Sequence, residues 1–154
     1  MKRSFRNVHY KFLTTKRIAE KAEELGVNVA LENLHNFSNL SYVLEQVDSE
    51  RIGFCYDCCH HYHYYPSYDL LSMYGKRLMA LHLHDYNGNT IHRLPFDGTI
   101  DWSVAMKKIA ETGYVGPTAI EAMNWAYKDL SAEEFLQKAY MQAKKLEALK
   151  LYNS

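Results

Sequence analysis

Leu81-His82-Leu83-His84-Asp85 is the stretch on which the fold turns. Leucine alternates with imidazole at a period of two, which describes a β-strand with one apolar face and one face of nitrogen donors, closed by a carboxylate. A half-buried strand turns polar rings inward only where something there binds them, because an unpaired buried polar group is costly. Alternation alone makes His82 and His84 equivalent. The flanking chain has to separate them.

Upstream, residues 4 to 25 carry a helical pattern with Ile18, Ala19, Ala22 and Leu25 on one stripe and Gly26 placed to stop it. Asn28 to Glu32 then reads as a buried strand. A helix follows near Asn39 to Val47, with Leu40, Val43, Leu44 and Val47 at helical spacing and Ser38 as its expected N-cap. Arg51 to Asp57 is a second strand, residues 67 to 76 a short helix, and Leu78 to His84 the third strand. Downstream, Asp85 to Ile100 is irregular and holds Gly88, Pro95 and Gly98; a loop of that length inside a compact domain is generally functional. Asp101 should cap a helix through Val104, Ala105, Ile109 and Ala110 that ends at Gly113. Pro117 to Glu121 is predicted as a fourth strand. Ser131 and Glu134 form a capping box for a terminal helix with the stripe Phe135, Leu136, Ala139, Tyr140, Ala143 and Leu146.

A helix followed by four strand-helix units defines an α/β chain with a parallel sheet, crossover helices and functional groups at the carboxyl ends of the strands. The last polar residues of those strands are Glu32, Asp57, His82 and Glu121, the first three spaced 25 residues apart. Two positions earlier on the same face stand Ala30, Cys55, Ala80 and Ala119, all small. A small residue followed by a ligand-type residue, repeated in register on four strands, is what a crowded barrel interior with a site at its top requires. Three carboxylates and an imidazole brought together repel and lose hydration, and a divalent cation removes that cost. The oxygen-rich set suits Mn²⁺, Mg²⁺ or Co²⁺, with Zn²⁺ following from availability, and leaves two positions for substrate oxygens.

Composition narrows the partners. With 18 basic and 18 acidic residues the formal charge is zero, so neither nucleic acid nor an anionic membrane is the expected partner, and a small molecule is. The start, Met1 to Lys11, is basic without an apolar leader core, and no run of about 18 apolar residues occurs, so a cytoplasmic protein is expected. Three cysteines, Cys58 and Cys59 adjacent, make a poor disulfide framework and suit a reducing cytosol. Cys55-Tyr56-Asp57-Cys58 fits C-x-x-C, but Cys55 lies within a strand and no redox role is expected. The chain carries 13 tyrosines and 8 histidines, several of them in residues 60 to 65, a cluster that fits either a wet pocket lining or an interface.

Ala30-Leu31-Glu32-Asn33, Tyr56-Asp57-Cys58-Cys59-His60, Leu81-His82-Leu83-His84-Asp85, His92 through Trp102 and Ala119-Ile120-Glu121, in that order, resemble the strand-end motifs of the xylose isomerase-like TIM barrels. That superfamily includes the sugar phosphate isomerase/epimerase group and the type 2 AP endonucleases. The resemblance runs from about residue 4 to 150 and covers only strands five to eight, as one domain over residues 1–154. It implies a partial parallel (β/α) barrel with a divalent metal on Glu32, Asp57, His82 and Glu121 and substrate contact by His60. It further implies a sugar or sugar phosphate isomerase or epimerase working through an enediolate, with Glu32 and Glu121 as the acid/base pair. His92 and Arg93 on the loop are candidates for a distal hydroxyl or phosphate. The spacing and the small residues single out His82 as ligand and leave His84 one layer higher, toward the loop and substrate.

A complete barrel of this kind runs to ~250 residues. A half-barrel must cover its inner face and two sheet edges, so a homo-oligomer, most simply a twofold dimer, is expected. Two other readings accompany the isomerase: a catalytically incomplete half-barrel that binds metal or sugar only, and a zinc phosphodiesterase like the AP endonucleases. The aspartate that the endonucleases place two before the loop histidine is Thr90 here.

Overall fold

The computed structural model describes residues 2–152, with side chains from Leu13 onward. The basic start thus lies outside the described side chains. Helix α1 (Lys2–Leu25) leads into β1 (Val29–Glu32), α2 (Ser38–Gln46), β2 (Ile52–Asp57), α3 (Cys58–Tyr64), α4 (Leu70–Tyr74), β3 (Leu78–His82), α5 (Trp102–Glu111) and α6 (Ala132–Tyr152). Strands β1, β2 and β3 form a parallel sheet in that order. Gly26 and Gly113 close α1 and α5 with positive φ, as C-terminal glycines do. Asp101 caps α5 by accepting from the Ser103 and Val104 amides, and the Ser131–Glu134 box forms reciprocally.

The core lies outside the sheet. Phe54, Tyr56, Leu81 and Leu83 turn away from the barrel axis and pack against Leu70, Met106, Ile109 and Leu146 of the helices. Each such side chain contributes about 1.5–3 kcal/mol when fully buried. The opposite face of the same strands is thereby left to Cys55, Asp57, Ala80 and His82, which is how the outer core aims the site residues inward. Ile52 joins Ala19, Val43 and Val47 in a second cluster that seats α1 and α2.

Several expectations are corrected. The fourth strand reduces to one parallel bridge, Leu83 with Ile120, because β3 leaves the sheet immediately afterwards and Asp85 bridges Arg93 antiparallel. Ser38 does not cap α2. Phe37 holds the cap position, and the Asn36 Oδ1 atom accepts from the Ser38 amide and hydroxyl instead. The short helix begins at Leu70, not 67, where the Asp69 carboxylate accepts from the Ser72 amide, and Gly75–Arg77 continues it as a 3-10 turn. The tyrosine and histidine cluster is a helix, α3, whose Cys58, Cys59 and His61 are buried packing. The stripes of α1 and α6 are only half buried: Ala19, Ala22 and Leu146 pack inward, whereas Ile18, Leu25, Leu136 and Tyr140 are exposed.

Register is also not a single row. Cys55 pairs with Glu32 on one side and Ala80 on the other, Asp57 pairs with His82, and the Leu83 bridge brings Glu121 beside His84. The ligand positions climb two residues between β1 and β2 and two more after β3. Such a stagger is the shear of tilted barrel strands, which places residues of different hydrogen-bonded rows at one height.

Candidate metal centre

Glu32 ends β1, Asp57 ends β2, His82 ends β3, and Glu121 follows the bridge at Ile120. One donor atom from each lies within 4.8 Å of the others. His82 Nδ1 sits 3.4 Å from Glu32 Oε2 and 3.3 Å from Glu121 Oε2. Both His82 Nδ1 and Glu121 Oε2 are buried without a hydrogen-bond partner. Orphaned polar atoms of this kind facing a common point are the signature of a group that binds between them. The set of three carboxylates and one imidazole therefore fits a divalent cation.

Electrostatics agree. Burial, reinforced by the charge of Asp57 and then of Glu121, pushes the Glu32 carboxyl up, with His82 and His60 opposing. For Asp57 burial alone would raise the carboxyl. The hydrogen bond from His84 and the His60 amide overcome it and hold Asp57 below the usual range. A cation between the carboxylates would reverse the push on Glu32.

Around this set the remaining expected residues fall into different places. His60 lies in the first turn of α3, where the N-cap Asp57 accepts through Oδ1 from its amide at 2.8 Å. Its Nδ1 lies 3.2 Å from the Asn33 carbonyl, 3.3 Å from Glu32 and 3.4 Å from Asp57. His84, expected nearer the substrate, is fully buried, with Nε2 2.9 Å from Asp57 Oδ2 and Nδ1 accepting from the His92 amide at 3.0 Å. His92 is 16% exposed, stacks on His84 at 4.1 Å and donates from Nδ1 to the Glu121 carbonyl. Burial first, then His84, lowers its pKa. Arg93 turns aside: its Nε donates to the Asp97 carbonyl and its guanidinium lies over Tyr127. His60, His84 and His92 form a second close group, but both nitrogens of His84 are already engaged, so the three are not equivalent ligands.

Two supporting residues were not singled out from the sequence. Asn33, fully buried, accepts from the Asp57 amide at 2.7 Å and donates to the Asp57 carbonyl at 2.8 Å, so it clamps the end of β2 to the end of β1. Asp85, also fully buried, accepts from the amides of Tyr86, Phe96 and Ile100 and from Trp102 Nε1, which shapes the loop after β3. A Cβ on Gly98 would sit well inside contact distance of Asp85 and the Tyr86 carbonyl. The available signal was position: each acid or amide directly follows a candidate site residue. The cysteines are buried thiols. Burial pushes the Cys55 and Cys59 thiols up to about 12, and all three cysteines are unpaired.

A parallel α/β sheet whose strand ends converge on a Glu, Asp, His and Glu cluster defines a barrel-type fold with a metal-type centre. The chain belongs to the xylose isomerase-like TIM barrel family, whose model matches residues 14–142. It is 34% identical over 134 residues to a protein of Sinorhizobium fredii described as "Uncharacterized protein y4fM", covering 82% of this chain and 43% of that one. An inosose isomerase of Halalkalibacterium halodurans is 30% identical over 138 residues, covering 79% and 49%. Among solved structures, a D-tagatose 3-epimerase-like protein superposes with a TM-score of 0.60 at 25% identity, over 90% of this chain and 56% of that one. The chain thus spans about half the length of the curated relatives it matches. Among the described residues no helix is long and apolar enough to cross a membrane.

Proposed function

We propose that this chain carries the metal-binding and proton-transfer half of a sugar isomerase or epimerase. The observation that carries the reading is the pair of buried atoms His82 Nδ1 and Glu121 Oε2, each without a hydrogen-bond partner, set within ion-pair distance of each other and beside Glu32 in one cluster. Glu32, Asp57, His82 and Glu121 would hold the cation, with Mn²⁺, Mg²⁺ or Co²⁺ suited to the oxygen-rich set and Zn²⁺ a further candidate. When bound, it polarises a substrate carbonyl and acidifies the neighbouring carbon-bound proton.

The proton itself is moved by the chain. Glu32 and Glu121 stand on either side of His82, so one removes the proton and the other returns it. His60, its Nδ1 fixed on the Asn33 carbonyl, presents the rest of its ring to a substrate hydroxyl. His92 offers the same from the loop. His84 serves Asp57 and not the substrate, a role that follows from its burial. Arg93, tied to Asp97 and Tyr127, stands in reserve for a distal hydroxyl or phosphate.

The inosose isomerase and the D-tagatose 3-epimerase-like protein support a sugar or polyol ketone as the substrate class. A homodimer would cover the free edge of β1, where Leu31, Leu34, Leu40 and Val43 line a groove of about 480 Å³. Three unpaired, buried cysteines suit the cytosol. The test is solvent exchange: the Mn²⁺-loaded chain, incubated in D₂O with ketoses and an inosose, should place deuterium at the carbon beside the carbonyl, read by NMR. Tight Mn²⁺ binding with no exchange in any of them would leave a metal-binding half-barrel without turnover. A monodisperse monomer in light scattering would remove the dimer.

A further inference from the structure

His92 has φ 58°, in the left-handed region that non-glycine residues rarely occupy, so its surroundings must hold it there. They do so from three sides. Its amide donates to His84 Nδ1 at 3.0 Å, its Nδ1 donates to the Glu121 carbonyl at 3.2 Å, and its carbonyl accepts from the Met123 amide at 2.9 Å. The first of these contacts has a consequence for the ion site. A backbone amide can only donate, so Nδ1 of His84 must offer a lone pair, and the ring proton then sits on Nε2. Nε2 is the atom 2.9 Å from Asp57 Oδ2. The fully buried imidazole is therefore a two-ended strut, one end on the loop backbone and the other on a carboxylate of the cluster.

We propose that His84 is a positioning residue that couples the order of the loop at residues 86–100 to occupancy of the ion site. The proposal rests on the reading of Glu32, Asp57, His82 and Glu121 as that site. His84 orients Asp57, as hydrogen-bonding neighbours of metal ligands do, and their loss commonly lowers metal affinity 10–100-fold, an order-of-magnitude range. Coupling of this kind is reciprocal: if loop order favours the ion, the ion favours loop order to the same degree. The loop has its own organiser in Asp85, so it can be loosened without touching a ligand.

The test uses the full chain and Mn²⁺ alone, with affinity read by calorimetry and loop order by amide hydrogen exchange. In the wild type, Mn²⁺ should slow exchange across 86–100. His84→Gln places an amide nitrogen near the former Nε2 and gives up the loop contact. It should bind Mn²⁺ within a few-fold of wild type yet leave loop exchange indifferent to the ion. His84→Asn keeps an acceptor near Nδ1 and gives up Asp57, so affinity should fall about 10–100-fold. Gly98→Ala, which crowds Asp85, should weaken Mn²⁺ several-fold from a distance. If the wild type binds Mn²⁺ without any change in loop exchange, or if Gly98→Ala binds it as tightly as wild type, the coupling is overturned and the ion site stands. Failure of the wild type to bind Mn²⁺ at all overturns both.

Discussion

Asp57 and His84 meet at 2.9 Å with neither side chain exposed to solvent, one from the end of β2 and the other just beyond β3. A buried carboxylate deprived of its donor keeps its desolvation penalty and loses its compensation. His84→Ala should therefore lower the stability of the metal-free protein by about 1.5–3 kcal/mol. Urea unfolding under chelation measures it. A loss under ~0.5 kcal/mol, the range of ordinary surface substitutions, would mean that Asp57 is satisfied by other groups.

Asn33 supports the same carboxylate from behind, through the backbone. Its amide closes on both the N–H and the C=O of Asp57 and also reaches the Tyr65 hydroxyl at 2.9 Å. Asn33→Ala leaves a buried backbone donor and acceptor without their side-chain partner, at a cost of about 1–3 kcal/mol. Because Asp57 is displaced as well as destabilised, Mn²⁺ affinity should fall together with stability. Calorimetric titration beside the urea curve reads both quantities on one sample.

Legibility in the sequence divides along this line. Glu32, Asp57, His82 and Glu121 could be read because strand-end position, spacing and small residues beneath them are all properties of the chain as a string. Their convergence within 4.8 Å follows from a sheet whose outer face is consistently apolar. Asn33 and Asp85 could not be read in the same way, since their partners are backbone groups, at the end of β2 for Asn33 and in the loop for Asp85, that meet them only in the folded chain. The stagger was hidden too: alternation reports which face a residue takes and carries no information on which row of the neighbouring strand it meets. Helix α3 escaped because its histidines and tyrosines hold up an interior by hydrogen bonds, as with Tyr56 on His61, and an apolar stripe is what periodicity detects.

That histidine gives the protein a pH dependence apart from the metal. His61 Nε2 donates to the Tyr68 carbonyl and Nδ1 meets the Tyr56 hydroxyl, both at 2.7 Å, so the neutral ring satisfies every contact. Burial lowers its pKa, with the Tyr68 carbonyl opposing. A folded-state pKa below the unfolded one means that the unfolded chain binds more protons in the window between them. His61 thus contributes stability that is complete above about pH 6.5 and is lost as pH falls through the folded pKa. His61→Gln should be less stable at pH 7 by about 1 kcal/mol, yet its stability should fall less steeply between pH 7 and 5. Thermal melts of both proteins across that range, under chelation, give the comparison; parallel curves would show that other groups set the slope.

The cluster itself makes a prediction whose sign changes with the ion. Without a cation, Glu32 is pushed up by burial and by the charges of Asp57 and Glu121, which means that its ionised form is held at a cost to the fold. Glu32→Gln removes that charge while keeping the shape and two polar atoms, so the chelated variant should be more stable than the chelated wild type. With Mn²⁺ the order should reverse. An ion that binds only the folded state stabilises it by about 2.7 kcal/mol at a hundred times its dissociation constant, and a site lacking one of its three carboxylates forfeits most of that. His82→Ala should lose the Mn²⁺ stabilisation as well but gain nothing under chelation, because it removes no negative charge. Melting temperatures of the three proteins with chelator and with excess Mn²⁺ decide the matter. If Glu32→Gln is the less stable protein in both conditions, the carboxylates are not under mutual repulsion and the cluster is held by hydrogen bonds alone.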